Sequence, residues 1–262
     1  MDLSNLFFNV ESKVFQPQLK EPEFGRVEFS DLEIFYYIKK NIDKSDKNED
    51  CLFIHQTTKE ILFGVCDGAG GYPNGAEVSH YISSNICDVL KAGVDEREFL
   101  SDLNVKLKNE YSEGKTTLAS CHYKDSSFKF SSVGDSEIII IKDEDIIYQN
   151  VSHSPVGFQM QAGALDQEEA LTTPGRNIVL YLMGDKNFHI DCSSKVEFDD
   201  SMLLVCASDG LFDNFTQNDL ISILSNDLND GVEELMNYCN EQFYQDNWHK
   251  DDDICFFVVR KK

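Results

Sequence analysis

Three apolar runs in this chain meet carboxylates at one end. Ile61-Leu62-Phe63-Gly64-Val65-Cys66 passes into Asp67-Gly68-Ala69-Gly70-Gly71, and Met202–Ala207 passes into Ser208-Asp209-Gly210. Asp251-Asp252-Asp253 opens the third run, Ile254–Val259. Short apolar runs of this kind read as core strands, so each one delivers an acid to a strand tip. A carboxylate there is costly unless something compensates it. Glycine next to it lets the backbone turn sharply and approach a ligand. With several carboxylates and no His or Cys at the tips, the donor set is all oxygen, which suits Mg²⁺ or Mn²⁺ and disfavours Zn²⁺. One Asp-Gly is an ordinary turn signal. Three separate apolar strands ending in acids are better explained by a shared cation. Asn48-Glu49-Asp50, ahead of the run Cys51–Ile54, adds two acids at a strand start, and Ser132-Val133-Gly134-Asp135-Ser136 adds one in a tight turn.

The elements that must carry these residues alternate between two periods. Strands are expected at 32–38, 52–55, 61–66, 116–123, 128–133, 136–141, 145–149, 202–207 and 254–259. Helices are expected at 75–90, where Val78, Ile82, Ile86, Val89 and Leu90 form a stripe, and at 96–111 after Asp95 as N-cap. Two more are expected at 216–224 and 231–244. The strands between 116 and 149 are joined by turns too short for parallel crossovers, so the sheets are antiparallel. The helices come in blocks and cover sheet faces. The class is α+β, with two packed sheets flanked by helices. Residues 29–262 are expected to form one domain, preceded by an extension over 1–28 that carries Phe7, Phe8, Phe15 and Phe24.

Taken in order, Asn48-Glu49-Asp50, Phe63–Gly71, Gly114-Lys115-Thr116-Thr117-Leu118-Ala119, Val133-Gly134-Asp135-Ser136, Ala207–Asp213 and Asp252-Asp253-Ile254 resemble the motifs of the type-2C (PPM) metal-dependent serine/threonine protein phosphatases, in their bacterial form. The resemblance spans roughly residues 30–260. It implies a four-layer α-β-β-α sandwich with metals at one end. It also implies a Mg²⁺/Mn²⁺-dependent phosphatase that hydrolyses phosphoserine and phosphothreonine through a metal-bridged water. Asp67 would bridge two ions, Asp209 and Asp252 would complete the first, and Glu49 with the Gly68 carbonyl would hold the second. Asp50 would orient the water. Asp135, with Asp209 or Asp213, would take a third ion.

Two positions depart from the family pattern. Ala69 stands where many members have a His that protonates the leaving group. Ser45 stands where a phosphate-gripping Arg is usual, which leaves Lys44 and Lys47 as candidate anchors without a bidentate fork. These departures motivate the alternative of a catalytically weak or inactive phosphatase-fold binding module, and the full set of acids argues against it. Residues 152–170, opening Ser154-Pro155-Val156-Gly157, are the candidate mobile flap.

Composition narrows the classes further. Of 262 residues, 23 are Lys or Arg and 47 are Asp or Glu, a net charge of −24 that repels nucleic-acid backbones and anionic membranes. A phosphorylated protein substrate is received only if bound cations invert that field locally. No run reaches about 18 apolar residues, so no span is expected. The first eight residues have no basic region, and no leader is expected. Eight scattered Cys without Cys-x-x-Cys pairs read as buried thiols of a cytoplasmic protein. None sits in a Cys-x₅-Arg loop, which excludes a cysteine phosphatase. No Asp-x-Asp-x-Asp-Gly loop with a terminal Glu is present, which disfavours an EF-hand calcium protein.

Overall fold

Consecutive residues of the central strands point into two different cores, which explains why those strands read as unbroken apolar runs. The computed structural model describes residues 10–18, 21–41, 47–91, 94–225, 227–240 and 250–262. Its strands are β1 (Glu11–Phe15), β2 (Glu23–Phe29), β3 (Leu32–Lys39), β4 (Asp50–Gln56), β5 (Glu60–Asp67), β6 (Leu118–Lys124), β7 (Ser127–Val133), β8 (Glu137–Lys142), β9 (Asp145–Gln149), β10 (Asp191–Cys192), β11 (Val196–Glu197), β12 (Met202–Ala207) and β13 (Ile254–Lys261). Its α-helices are α1 (Gly75–Asn85), α2 (Glu96–Glu110), α3 (Pro155–Gln161), α4 (Gln167–Thr172), α5 (Asp209–Phe212), α6 (Gln217–Leu224) and α7 (Leu228–Asn240).

Among the described residues the strands form two antiparallel sheets. One runs β1-β4-β5-β6-β7-β10, with β11 also on β7; the other runs β2-β3-β13-β12-β8-β9. Leu52, Phe63, Val65, Phe128, Cys206 and Phe257 fill the space between the sheets. Phe63 and Phe257 meet across it with ring centroids 5.0 Å apart. Their sequence neighbours face outward. Phe53, Leu62 and Cys66 pack under Val78 and Ile82 of α1 and Leu100 and Leu107 of α2. Val205 and Phe256 pack under Leu211, Leu220 and Leu235 of α5, α6 and α7. The four layers thus follow from alternation in strands with both faces covered.

Every strand expected from the sequence forms. The edge strands β1 and β2 were not expected, because each has one weakly buried face and carries charge (Glu11, Lys13, Glu23, Arg26, Glu28) that protects a sheet edge. Residue 28, the expected end of an extension, lies inside β2, which pairs with β3 from Glu23↔Ile38 to Phe29↔Leu32. β1 pairs with β4, and Phe15 stacks on Tyr36 at 4.6 Å. Phe24 is exposed, and Phe7 and Phe8 lie outside the described residues. Ser154-Pro155-Val156-Gly157, the opening of the candidate flap, is a helix start. Ser154 Oγ accepts from the Gly157 N–H at 2.9 Å, and Pro155 takes the first helical turn of α3. Asp95 caps α2 as expected, and Thr216 caps α6 with a capping box to Asp219. Among the described residues, no helix is long and apolar enough to cross a membrane.

Candidate functional site

The acids converge because both sheets end at the same edge of the sandwich. Asp50 and Asp67 face each other at the tip of the β4–β5 pair. They share the parity of Leu52 and Val65, so both side chains lie on the inter-sheet face. On the opposite sheet, Ser208 and Asp253 share the parity of Cys206 and Cys255 and lie on the facing side. Ser208 Oγ donates to Asp50 Oδ2 at 2.7 Å across the gap. Asp253 Oδ2 accepts from the Glu49 N–H at 2.8 Å, and its Oδ1 accepts from the Asn41 N–H at 2.7 Å. Ser208 and Asp253 are thus polar staples that fix the spacing of the two acid-bearing edges.

Each acid is positioned by its neighbours. The Asp67 N–H donates to Thr117 Oγ1 at 2.9 Å, and Thr116 Oγ1 donates to the Asp67 carbonyl at 2.8 Å. The Gly68 N–H donates to the Glu49 carbonyl at 3.0 Å. Glu49 seats its carboxylate against Gly75, where an added Cβ would lie 2.3 Å from Oε1. Gly210, after Asp209, passes so near β13 that a Cβ would meet the Asp253 carbonyl at 2.0 Å. Asp209 begins the short helix α5, and Asp213 follows one turn later. Asp135 is buried in the turn between β7 and β8. Asp252 is buried just before β13.

The residue that ties this edge together is one the sequence reading did not select. Lys250 Nζ contacts Asp209 Oδ2, lies 3.1 Å from Asp213 Oδ2 and lies 3.3 Å from Asp252 Oδ2. Its backbone is held by buried Asn214, whose Nδ2 donates to the Lys250 carbonyl at 2.9 Å and whose Oδ1 accepts from the Lys250 N–H at 2.8 Å. A lysine beside three aspartates reads as surface charge in sequence, and nothing in the spacing of Lys250 and Asp213 indicates that they meet. Lys47 makes an exposed ion pair with Glu77 in the first turn of α1. Lys44, the other expected anchor, lies outside the described residues.

Burial and like charge raise several of these carboxyls above the usual carboxylate range. Burial, then repulsion from Asp209, pushes the Asp135 carboxyl up to about 8, against the pull of Lys250. The same causes raise Asp213 to about 6. Burial and then Asp253 raise Asp50, although Ser208 opposes them. Burial disfavours the Lys250 ammonium, but Asp209, Asp213 and Asp252 together outweigh it and hold the lysine charged. An all-oxygen donor set, an ammonium already seated on three of its members, and a Glu49 carboxylate packed where no side chain fits at residue 75 together suit divalent cations.

α3 and α4 stand beside the acids. Val156, Met160, Gln167, Leu171 and Arg176 enclose a cavity of about 60 Å³ together with Asp135, Asp209 and Asp213. Arg176 donates to the Leu171 carbonyl at 2.6 Å and draws the Asp213 pKa down. At the root of this segment, buried His153 accepts from the Gly134 N–H on Nδ1 at 3.1 Å and so donates from Nε2 to Asp191 Oδ2 at 3.0 Å. His189 lies 3.2 Å from the other Asp191 oxygen. These three side chains have metal-ligand spacing. Nonetheless, the Gly134 contact places the His153 proton on Nε2, the atom a metal would need. The cluster is a clamp on the turn that carries Asp135.

The model of the family described as protein phosphatase 2C matches residues 39–250. Among curated relatives, a Drosophila grimshawi protein phosphatase PTC7 homolog is 23% identical over 188 residues, covering 67% of this chain and 58% of its own length. The Streptococcus pneumoniae protein phosphatase PhpP is 29% identical over 134 residues, covering 50% of this chain and 54% of its own. The matched region therefore spans less than two thirds of those relatives. Among solved structures, the serine/threonine phosphatase Stp1 from Staphylococcus aureus superposes with a TM-score of 0.75 at 25% identity, over 91% of this chain and 99% of that one. The two-sheet sandwich, the order of acid-bearing strand tips and these likenesses agree: this chain belongs to the protein phosphatase 2C family, in its bacterial form.

Proposed function

We propose that this chain is a Mg²⁺- or Mn²⁺-dependent phosphatase that hydrolyses phosphoserine and phosphothreonine in proteins. The observation that carries the reading is the delivery of Glu49, Asp67, Asp209 and Asp252 to one edge by strand ends of both sheets. Asp67, Asp209 and Asp252 would hold one ion, and Asp67, Glu49 and the Gly68 carbonyl a second. Bound there, the ions supply charge neutralisation for the phosphate and an activated water.

The chain's own residues set the rest. Asp50, anchored by Ser208, is placed to accept a proton or orient a nucleophile beside Asp67. Thr116, Thr117 and the Glu49–Gly68 hydrogen bond hold the donors in place before any ligand arrives. Ala69 donates no proton, so the turn after Asp67 offers the leaving alkoxide no side-chain acid, and solvent supplies that proton. The segment carrying α3, α4 and Arg176 forms the wall that meets the residues flanking the phosphorylated side chain. Six thiols, at Cys51, Cys66, Cys121, Cys206, Cys239 and Cys255, are buried, which supports a reducing, cytoplasmic setting.

The test is phosphate release from phosphoserine and phosphothreonine peptides with Mn²⁺, with and without chelator. Release that needs the metal and vanishes in Asp209→Asn supports the reading. Release that is indifferent to both contradicts it.

A further inference from the structure

The turn that follows Asp67 forms an open shelf beside the acid edge. The Ala69 N–H donates to the Lys115 carbonyl at 3.0 Å, and the Tyr72 N–H donates to the Ala69 carbonyl at 3.3 Å. Between them, a Cβ added at Gly70 or Gly71 would meet nothing within 4 Å, so a second chain can approach this backbone closely. Tyr72 stands at the end of the shelf and is 43% exposed. An exposed aromatic ring alone is ordinary. This one is held in place. Lys115 Nζ lies 4.2 Å from the ring centroid and 2.8 Å from Asp185 Oδ2. The Lys115 side chain is only 17% exposed, so its stem and ammonium are committed to supporting the ring. Pro73 restricts the Tyr72 backbone from the other side. A ring fixed in this way offers contact area at little cost in conformational entropy.

We propose that Tyr72 is a specificity-determining residue whose ring, supported by Lys115, packs against an apolar side chain flanking the phosphorylated residue of the substrate. The proposal rests on the reading of the acid edge as a phosphatase centre and names part of what that centre accepts. α3 and α4 border Asp135, Asp209 and Asp213, whereas Tyr72 borders the turn of Asp67, Gly68 and Ala69. A peptide whose phosphate lies at the acids therefore meets a separate wall here. The chemistry of the partner follows from Lys115. Its ammonium already engages the electron-rich face of the ring. A second cation over the same ring would be repelled by that ammonium, whereas an apolar side chain gains from covering the exposed carbon.

The test uses the full chain with Mn²⁺ and compares two kinds of substrate. One is a set of phosphoserine peptides with Leu or Ala at each position flanking the phosphoserine; the other is p-nitrophenyl phosphate, which has no flanking residues. Wild type is expected to favour Leu over Ala at one flanking position by about tenfold in kcat/KM, as for burial of one apolar side chain. Tyr72→Ala removes that preference and lowers the ratio of peptide to p-nitrophenyl phosphate kcat/KM by about tenfold, with circular dichroism confirming that the variant folds. Tyr72→Phe keeps both, and Lys115→Met, which releases the ring, loses part of each. Absence of a Leu preference in wild type overturns the proposal, and that arm needs no variant to fold. A preference that survives in Tyr72→Ala, or an equal fall on both kinds of substrate, overturns it as well and leaves the proposed function standing. Wild type that releases phosphate from neither substrate overturns the phosphatase reading, and with it this inference.

Discussion

Two polar clusters lie on either side of the turn that carries Gly134 and Asp135, and they are solved in opposite ways. Around His153, donors and acceptors match: the Gly134 N–H meets Nδ1, Nε2–H meets Asp191, and His189 meets the second oxygen of that Asp. The cluster is complete within the chain. At the strand tips, Asp50, Asp67, Asp135, Asp209, Asp213, Asp252 and Asp253 crowd together, and Lys250 is the ammonium that touches three of them. Like charges opposed across strands destabilise a sheet. A fold retains such an arrangement when something from outside completes it. A polar cluster satisfied by its own hydrogen bonds is scaffold; one whose charge of a single sign exceeds its internal counter-charge is a binding site.

The largest effect is expected from the acid edge. Asp209→Asn is expected to lower Mn²⁺-dependent phosphatase activity about a thousandfold, since a lost metal ligand removes several kcal/mol of transition-state stabilisation. Its thermal stability without metal should rise, because the substitution relieves repulsion on Asp135 and Asp213. A fall in both would mean that the acids are scaffold after all. Asp50→Asn is expected to cost about 10- to 100-fold in kcat, as for groups that orient metal ligands without binding the ion. Gly75→Ala pushes on the Glu49 carboxylate and should raise the Mn²⁺ concentration for half-activity, with little change in saturated rate.

At the clamp the expected changes are smaller and appear in stability. His153→Phe leaves the Gly134 N–H and Asp191 Oδ2 without their partner and should cost about 1–3 kcal/mol in denaturant unfolding. pH sharpens the contrast. Burial holds His153 below the usual imidazole range, although Asp191 opposes this, so the unfolded chain takes up this proton more readily than the folded one. The clamp's contribution is therefore present at neutral pH and lost as pH falls below the ordinary imidazole value of about 6.5 and through the folded value. Protonated Nδ1 would turn a second donor toward the Gly134 N–H. Wild type should lose stability over that interval more steeply than His153→Phe.

What sequence revealed and what it hid follow from the same physics. Asp67, Asp209 and Asp252 were legible because apolar strands covered on both faces end abruptly on acids. Thr216 and Asp95 were legible because capping is local. β1 and β2 were not, since an edge strand needs only half an apolar pattern and its partner lies elsewhere in the chain. Lys250 escaped notice because its role depends on Asn214, distant in sequence, and on the approach of α5 to β13. Asp253 read as one more acid in a run, although its two oxygens bind the Glu49 and Asn41 N–H groups and join the sheets. Residues that act by position along a strand are visible in one dimension; those that act by bridging elements are not.

The claim on which the rest depends is that acids from distant strand ends share common cations, and an anomalous-scattering map of crystals grown with Mn²⁺ tests it most directly. The account predicts one peak coordinated by Asp67, Asp209 and Asp252 and a second by Asp67, Glu49 and the Gly68 carbonyl. Ordered Mn²⁺ at the His153–Asp191 cluster with none at Asp67 would contradict it.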